Sequence, residues 1–271
     1  MTNFFDMCEI ETSLFDRSYA ETDPDWLLVK EIYEKNIAKE ADKHNGIPKI
    51  IHFIWVGSNL PEPYAQNIED WKSKNPDFEI TVWDDAKVND FKPTMKNAEL
   101  FDAAPRFGGK SDILRYEILK RYGGLYVDTD FVCTSDFSAL HDRHAFYAGI
   151  CLERPVQLNN GIMAAAPNHP ILDLCIDTVR LDNPWNITCP ETLVLYQTGP
   201  WALTRSFLRH INTNTDHSDV IAFPSQTFHP FPAAKRHEAT EELVQSYYKP
   251  WTRACHLWHA SWQPTSRFYN G

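Results

Sequence analysis

The chain has 271 residues and a net charge of −11 with histidine neutral, a field that repels polyanions and sets nucleic acid aside as a partner. Hydrophobic residues make up 43% and charged residues 23%, which is ordinary globular usage and enough for one sizeable core. The longest strongly apolar run, Ile50 to Val56, is broken by His52 and falls far short of the roughly 20 residues of a membrane span. The first residues lack the basic flank and apolar segment of a signal peptide, so no transmembrane segment and a cytoplasmic location are expected. None of the six cysteines stands at C-x-x-C spacing, which predicts free thiols in a reducing compartment.

Residues 1–46 read as an N-terminal helical extension. Asp23-Pro24 can cap and open a helix, Leu28, Ile32, Tyr33 and Ile37 recur at helical spacing, and Asn45-Gly46 is the expected stop. The main domain is expected over 47–271. Ile50 to Val56 is a short β-rich run ending at Gly57, 62–74 a helix, and Phe78, Ile80 and Val82 alternate as a second strand. Strand, helix, strand opens an α/β sheet, whose ligands sit beyond the carboxyl ends of the strands. Trp55 and Val56 then face the ligand, as do Trp83, Asp84 and Asp85. Ser111 to Tyr122 reads as a helix stopped by Gly123-Gly124, and Leu125-Tyr126-Val127 as a strand that runs into Asp128-Thr129-Asp130. Further strands are expected near 145–150, 160–165 and 219–223, and helices near 169–181, 200–210 and 237–247. The tail from Ala254 is rich in aromatics and histidine.

Asp128 and Asp130 carry the strongest chemical signal. At i and i+2 of a strand, both carboxylates point the same way. Like charges that close repel, so the pair calls for a cation, and carboxylate oxygens suit Mg²⁺ or Mn²⁺. Such a metal offsets the charge that builds on a departing diphosphate. The bland alternative is two solvated turn aspartates. Asp112 and Arg115, at i and i+3, share a helix face pointing forward from the helix start. There the carboxylate can accept sugar hydroxyls and the guanidinium can donate to sugar or phosphate, unless the two are simply a surface ion pair. Trp55 is either a platform for a nucleobase or a core residue.

The run Phe107-Gly108-Gly109-Lys110-Ser111-Asp112-Ile113-Leu114-Arg115-Tyr116 to Tyr122-Gly123-Gly124-Leu125-Tyr126-Val127-Asp128-Thr129-Asp130 resembles the signature of glycosyltransferase family 32. That family includes Och-type mannosyltransferases and has the large glucosylating toxins as relatives. Its pattern of a Ser-Asp-x-x-Arg helix, Tyr-Gly-Gly-x-Tyr and Asp-x-Asp is matched without a gap. Ile47 to Gly57, Asn159-Asn160-Gly161, Thr198-Gly199-Pro200 and Ser261-Trp262 extend the likeness over roughly 47–262. The resemblance implies a GT-A fold, an open mixed α/β sheet that binds a nucleotide and is flanked by helices. It also implies a retaining hexosyltransferase that uses Mn²⁺ (or Mg²⁺) and a nucleotide-sugar donor, UDP-hexose favoured and GDP-mannose next. The acceptor is left open among glycan, lipid and protein.

Carried over residue by residue, the resemblance puts Trp55 on the base and Asp112 and Arg115 on the donor hexose. Asp128 contacts ribose, sugar or metal, and Asp130 binds the metal. Tyr126 lies against the donor, and Asn160 approaches the sugar. Ser261 and Trp262 close over the diphosphate as a C-terminal lid. One of His256 and His259 is expected to supply a third metal ligand. Two other classes are weighed. A haloacid-dehalogenase-like phosphatase would use Asp128 as nucleophile, but its Asp strand usually stands near the chain start. A silent nucleotide-sugar-binding module would have no need of intact aspartates.

Overall fold

The computed structural model describes residues 2–11, 15–38, 40, 46–153 and 155–259. The chain opens with three helices, α1 (Phe4–Cys8), α2 (Arg17–Ala20) and α3 (Pro24–Asn36). Asp23 caps α3 by accepting from Trp26 N at 3.0 Å, with Pro24 in the first turn. The helix stops at Asn36, well before Gly46 and the undescribed Asn45. Its apolar side, Trp26, Val29, Ile32 and Tyr33, is buried in the same continuous core as the sheet.

The sheet then forms from β1 (Ile50–Ile54), α4 (Glu62–Lys74), β2 (Glu79–Trp83), α5 (Asp85–Phe91), α6 (Ala98–Ala103), α7 (Phe107–Tyr122) and β3 (Gly124–Val127). It continues through β4 (Phe131–Cys133), α8 (Ser138–His141), β5 (Phe146–Glu153), β6 (Val156–Ala165), α9 (Pro170–Thr178), α10 (Pro190–Gln197), α11 (Pro200–Thr213) and β7 (Val220–Phe223). Helices α12 (Ser225–Phe228) and α13 (Glu241–Ser246) and the short strand β8 (Ala254–His256) complete the described elements.

Six strands make one mixed sheet in the order β2-β1-β3-β6-β5-β7. β1 runs parallel to β2 and β3, β6 antiparallel to β3 and β5, and β5 parallel to β7. β3 is buried along its whole length, as a central strand with helices packed around it must be. Gly124, at φ 99°, is required between α7 and β3, because a Cβ there would stand 2.6 Å from the Ile50 carbonyl oxygen. A separate two-stranded ribbon pairs β4 with β8, Phe131 opposite His256. This ribbon returns the C-terminal segment to the end of β3.

Three further expectations are corrected. β1 ends at Ile54, so Trp55 and Val56 lie in the turn beyond the strand, where Gly57 at φ 85° redirects the chain. Helix α7 begins at Phe107, not Ser111: Gly108 and Gly109 are both buried, Gly109 beside Ala104, Val194 and Thr198, and packing overrides their poor helix propensity. Asp112 therefore sits beyond the first turn, not at the helix start. Finally, Asp128 and Asp130 do not lie in a strand. β3 stops at Val127, and a tight turn closed by Phe131 N donating to Asp128 O at 3.1 Å carries both aspartates.

Candidate active site

The turn Asp128-Thr129-Asp130 is held from beneath. Asn67 on α4 donates to the carbonyls of Thr129 at 2.8 Å and Phe131 at 2.7 Å, and Trp71 Nε1 reaches Phe131 O at 2.7 Å. Asp128 N donates to Gly161 O at 2.7 Å. A Cβ on Gly161 would stand 2.6 Å from Asp128 Oδ2, so only glycine lets β6 approach the carboxylate this closely. Tyr126, buried on β3, donates its hydroxyl to Asp128 Oδ1 at 2.5 Å and lies under the Arg115 guanidinium at 4.2 Å. Tyr126 thus reaches the site as the support of Asp128.

Asp112 and Arg115 are buried, at 6% and 4% exposure, which removes the surface ion-pair reading. Arg115 Nη2 stands 3.3 Å from both Asp112 Oδ1 and Asp128 Oδ1, and Nη1 donates to Asn160 O at 2.7 Å. Asp112 accepts from Asn160 Nδ2 at 2.7 Å and from Thr198 Oγ1 at 2.9 Å. The Asn160 amide is therefore turned toward Asp112 and Tyr116, whose hydroxyl it reaches at 3.1 Å. A charge pair this buried survives only with its remaining lone pairs and protons satisfied, and Thr198, Asn160 and Tyr116 provide that. Burial raises the Asp112 carboxyl above its ordinary range, against the pull of Arg115 and the two hydrogen bonds.

The two turn aspartates are held differently. Burial, with the charge of Asp130 beside it, raises Asp128 against the pull of Arg115. Burial also pushes Asp130 upward, but His256 and the His259 backbone N–H outweigh it and hold Asp130 below the usual carboxylate value. His256 Nε2 stands 3.2 Å from Asp130 Oδ2. Its ring is stacked on Phe131 at 4.3 Å and 6° and packed against Trp258 at 4.0 Å. Asp128, Asp130 and His256 place one ligand atom each within 4.8 Å of one another. Two carboxylates and an imidazole are a donor set that fits Mn²⁺ or Mg²⁺, the imidazole favouring Mn²⁺. His259 meets Asp130 through its backbone N–H at 2.9 Å, while its ring lies 5.9 Å from Tyr64.

Trp55 is half-buried at one wall of a cleft of about 750 Å³, whose lining includes Gly57, Asn59, Leu60, Asp84 and Asp85. Its indole Nε1 is anchored on Ser58 Oγ and Asn59 O, both at 3.1 Å, and its ring lies 5.0 Å from Tyr64. Gly57 N donates to both carboxylate oxygens of Asp85, at 3.1 and 2.9 Å. Val56 is half-buried beside Trp55. Ser261 and Trp262, the expected lid, lie outside the described residues.

Residues 61–147 match the model of the glycosyltransferase sugar-binding region containing DXD motif. Over these residues the chain is similar to the DXD-containing glycosyltransferases. Inositol phosphoceramide mannosyltransferase 3 of Schizosaccharomyces pombe is 30% identical over 185 residues, covering 66% of this chain and 49% of that protein. An uncharacterized glycosyltransferase of Acanthamoeba polyphaga mimivirus is 28% identical over 194 residues, covering 68% of this chain and 73% of that protein. The chain spans about half the length of the S. pombe mannosyltransferases it matches first, 49% and 46% of them. Among solved structures, the PaToxG glycosyltransferase matches with a TM-score of 0.53 at 21% identity, over 72% of this chain and 79% of that chain. The fold is the GT-A type of α/β sheet. This match over the Asp128 turn leaves the phosphatase reading of Asp128 without support. Among the described residues, no helix is long and apolar enough to cross a membrane.

Sequence reasoning missed the supports: Asn67, Trp71, Tyr116 and Thr198. Thr198-Gly199-Pro200 was visible as a short motif, but nothing local said that its threonine serves Asp112.

Proposed function

We propose that the chain transfers a hexose from a nucleotide-diphosphate sugar to an acceptor, with retention of configuration and dependence on a divalent cation. The observation that carries this reading is the convergence of Asp128, Asp130 and His256 beside the buried Asp112–Arg115 pair. Asp128, Asp130 and His256 would hold the cation, which supplies charge stabilisation to a departing diphosphate. Asp112 and Arg115 would orient the sugar hydroxyls, their own geometry fixed by Thr198 and Asn160. The half-buried Trp55 would carry the base in the cleft beside Asp85, with Val56 at its edge. Ser261 and Trp262 would close over the diphosphate.

Relatives named as mannosyltransferases support testing GDP-mannose beside the UDP-hexoses. The reading is tested by incubating the chain with a panel of UDP- and GDP-sugars and Mn²⁺, scoring nucleoside diphosphate release with and without candidate acceptors. At least one donor is cleaved, and EDTA abolishes the reaction. Cleavage undiminished by exhaustive chelation overturns the metal-dependent reading, and a panel with no cleavage overturns the transferase reading.

A further inference from the structure

A second histidine is buried behind the cation site. His229 closes the C-terminal end of α12, its backbone N–H donating to Ser225 O at 2.7 Å, and it is 1% exposed. Its ring packs against Phe131 at 5.5 Å, Trp258 at 5.7 Å and His256 at 6.0 Å. Gly149 on β5 makes room for it, because a Cβ there would stand 2.9 Å from His229 Cε1 and 3.1 Å from its Nδ1.

Neither ring nitrogen of His229 completes a hydrogen bond, and neither does Nδ1 of His256. Buried polar atoms are costly to leave unpaired, so these call for a partner. Both faces of the His256 ring are covered, by Phe131 at 4.3 Å and Trp258 at 4.0 Å, so a partner for Nδ1 must come along the ring edge. Stacking on Phe131 fixes the plane of the ring but not which edge faces Asp130, since a half-turn about Cβ–Cγ keeps the plane. Only a bond at Nδ1 fixes that choice. The two rings are chemically complementary. Burial, with His256 beside it, holds the His229 ring well below the ordinary histidine value, so it is neutral, with one donor and one acceptor. Its Nδ1 edge lies along Gly149 and Ile150, whose backbone favours the proton there, and Nε2 is then the acceptor. On His256, Nε2 faces Asp130 and the cation site, and an imidazole that gives that lone pair to a cation carries its proton on Nδ1. Two hydrogen bonds of about 2.9 Å each, meeting at one water, span the spacing between the rings.

We propose that His229 is a positioning residue for His256: through one bridging water its Nε2 accepts from His256 Nδ1–H and keeps Nε2 of His256 turned to the cation. Outer partners of this kind orient a ligating imidazole and raise its basicity. This rests on the cation reading above and adds a residue to it.

The test is Mn²⁺ binding to the full chain without donor, followed by the electron paramagnetic resonance signal of free Mn²⁺. His229→Leu removes both nitrogens at similar volume and weakens Mn²⁺ binding by roughly tenfold or more, as loss of an outer partner does. Its melting temperature without metal stays at or above the wild-type value, because an apolar group replaces unpaired buried nitrogens. His229→Gln, whose amide oxygen can accept the same bond, recovers most of the affinity. Long-range proton–nitrogen NMR of the wild-type chain shows His229 with its proton on Nδ1, a readout that needs no variant to fold. Unchanged Mn²⁺ affinity in a folded His229→Leu chain, equal loss in the Leu and Gln variants, or a proton on Nε2 of His229 overturns the role. His256→Ala is measured alongside. Wild-type Mn²⁺ affinity in His256→Ala overturns the cation reading itself, whereas weak binding there with wild-type affinity in His229→Leu removes only the role of His229.

Discussion

The imidazole of His256 lies flat on the ring of Phe131, 4.3 Å away and 6° from coplanar, and this stacking aims its Nε2 at Asp130 Oδ2 3.2 Å away. The two partners come from the β4–β8 ribbon, where Phe131 and His256 stand in register. His259 offers Asp130 only its backbone N–H. His256 is therefore the histidine whose ring is placed to complete a cation site with Asp128 and Asp130. His256→Ala is expected to raise the Mn²⁺ needed for half-maximal rate by roughly 10- to 100-fold, a typical loss of metal affinity, while His259→Ala leaves it unchanged. Titrating Mn²⁺ in both variants decides this. An unchanged requirement in His256→Ala rejects the assignment.

Asp130 is the carboxylate that the fold keeps ionised. Asp130→Asn keeps the shape and the acceptor for His259 N while removing the charge. Charge stabilisation by a bound metal contributes several kcal/mol, so the rate is expected to fall by roughly 100-fold or more. Circular dichroism should stay close to wild type, because the amide keeps the acceptor for His259 N, while loss of the pairing with His256 lowers the melting temperature modestly. Near wild-type turnover would show that Asp130 does not hold the cation.

Thr198 donates to a buried carboxylate at 2.9 Å. Thr198→Val keeps the volume and deletes the donor, leaving Asp112 short of a partner. A cost of about 1–3 kcal/mol in urea-unfolding stability is expected, together with weaker donor binding, while Thr198→Ser recovers both. A Val variant as stable as wild type would mean that Asp112 does not depend on Thr198.

Trp55 is anchored by its indole N–H, with its ring at the cleft wall. Trp55→Ala is expected to weaken donor binding by about 1–3 kcal/mol, the usual contribution of a stacking platform, with little effect on turnover of the bound complex. Equilibrium dialysis with a non-hydrolysed donor analogue measures this directly. A collapse of the melting temperature would instead make Trp55 a core residue.

His52 predicts acid sensitivity. Its Nε2 stands 2.9 Å from Gly123 O, and its Nδ1 accepts from Trp83 Nε1 at 3.2 Å, so the folded state holds a neutral ring with the proton on Nε2. Burial lowers its pKa from 6.5 to about 4, with Gly123 opposing. His141 is likewise lowered by burial to about 4. The unfolded chain therefore binds more protons than the fold once the pH drops below 6.5, and stability declines from there to about pH 4. At pH 5 the loss is about 2 kcal/mol for each histidine. Urea midpoints at pH 7.5 and pH 5 should show it, and His52→Gln should remove its own share, about 2 kcal/mol, of the pH-dependent loss. A midpoint independent of pH would mean that these rings are not neutral in the fold.

The order of the central elements was legible in the sequence because local physics dictates it. Helical spacing, the Gly123-Gly124 stop and the short apolar run of β3 mark α7 and β3, and the Asp-x-Asp that follows marks the strand end. The helix over Glu62–Lys74 and the short strands followed from periodicity in the same way. Tertiary structure alone decided how the site is built. Two aspartates converge through a turn held by Asn67 and Trp71, a choice no local spacing can announce because the donors come from α4. Asp112 and Arg115 became a buried pair because Thr198 and Asn160, distant in the chain, satisfy them. The pairing of β8 with β4 brings the His256 ring beside Asp130, while His259 meets it only through its backbone N–H. Long-range register, not composition, sets His256 opposite Phe131 at the end of β8, and His259 lies beyond that strand.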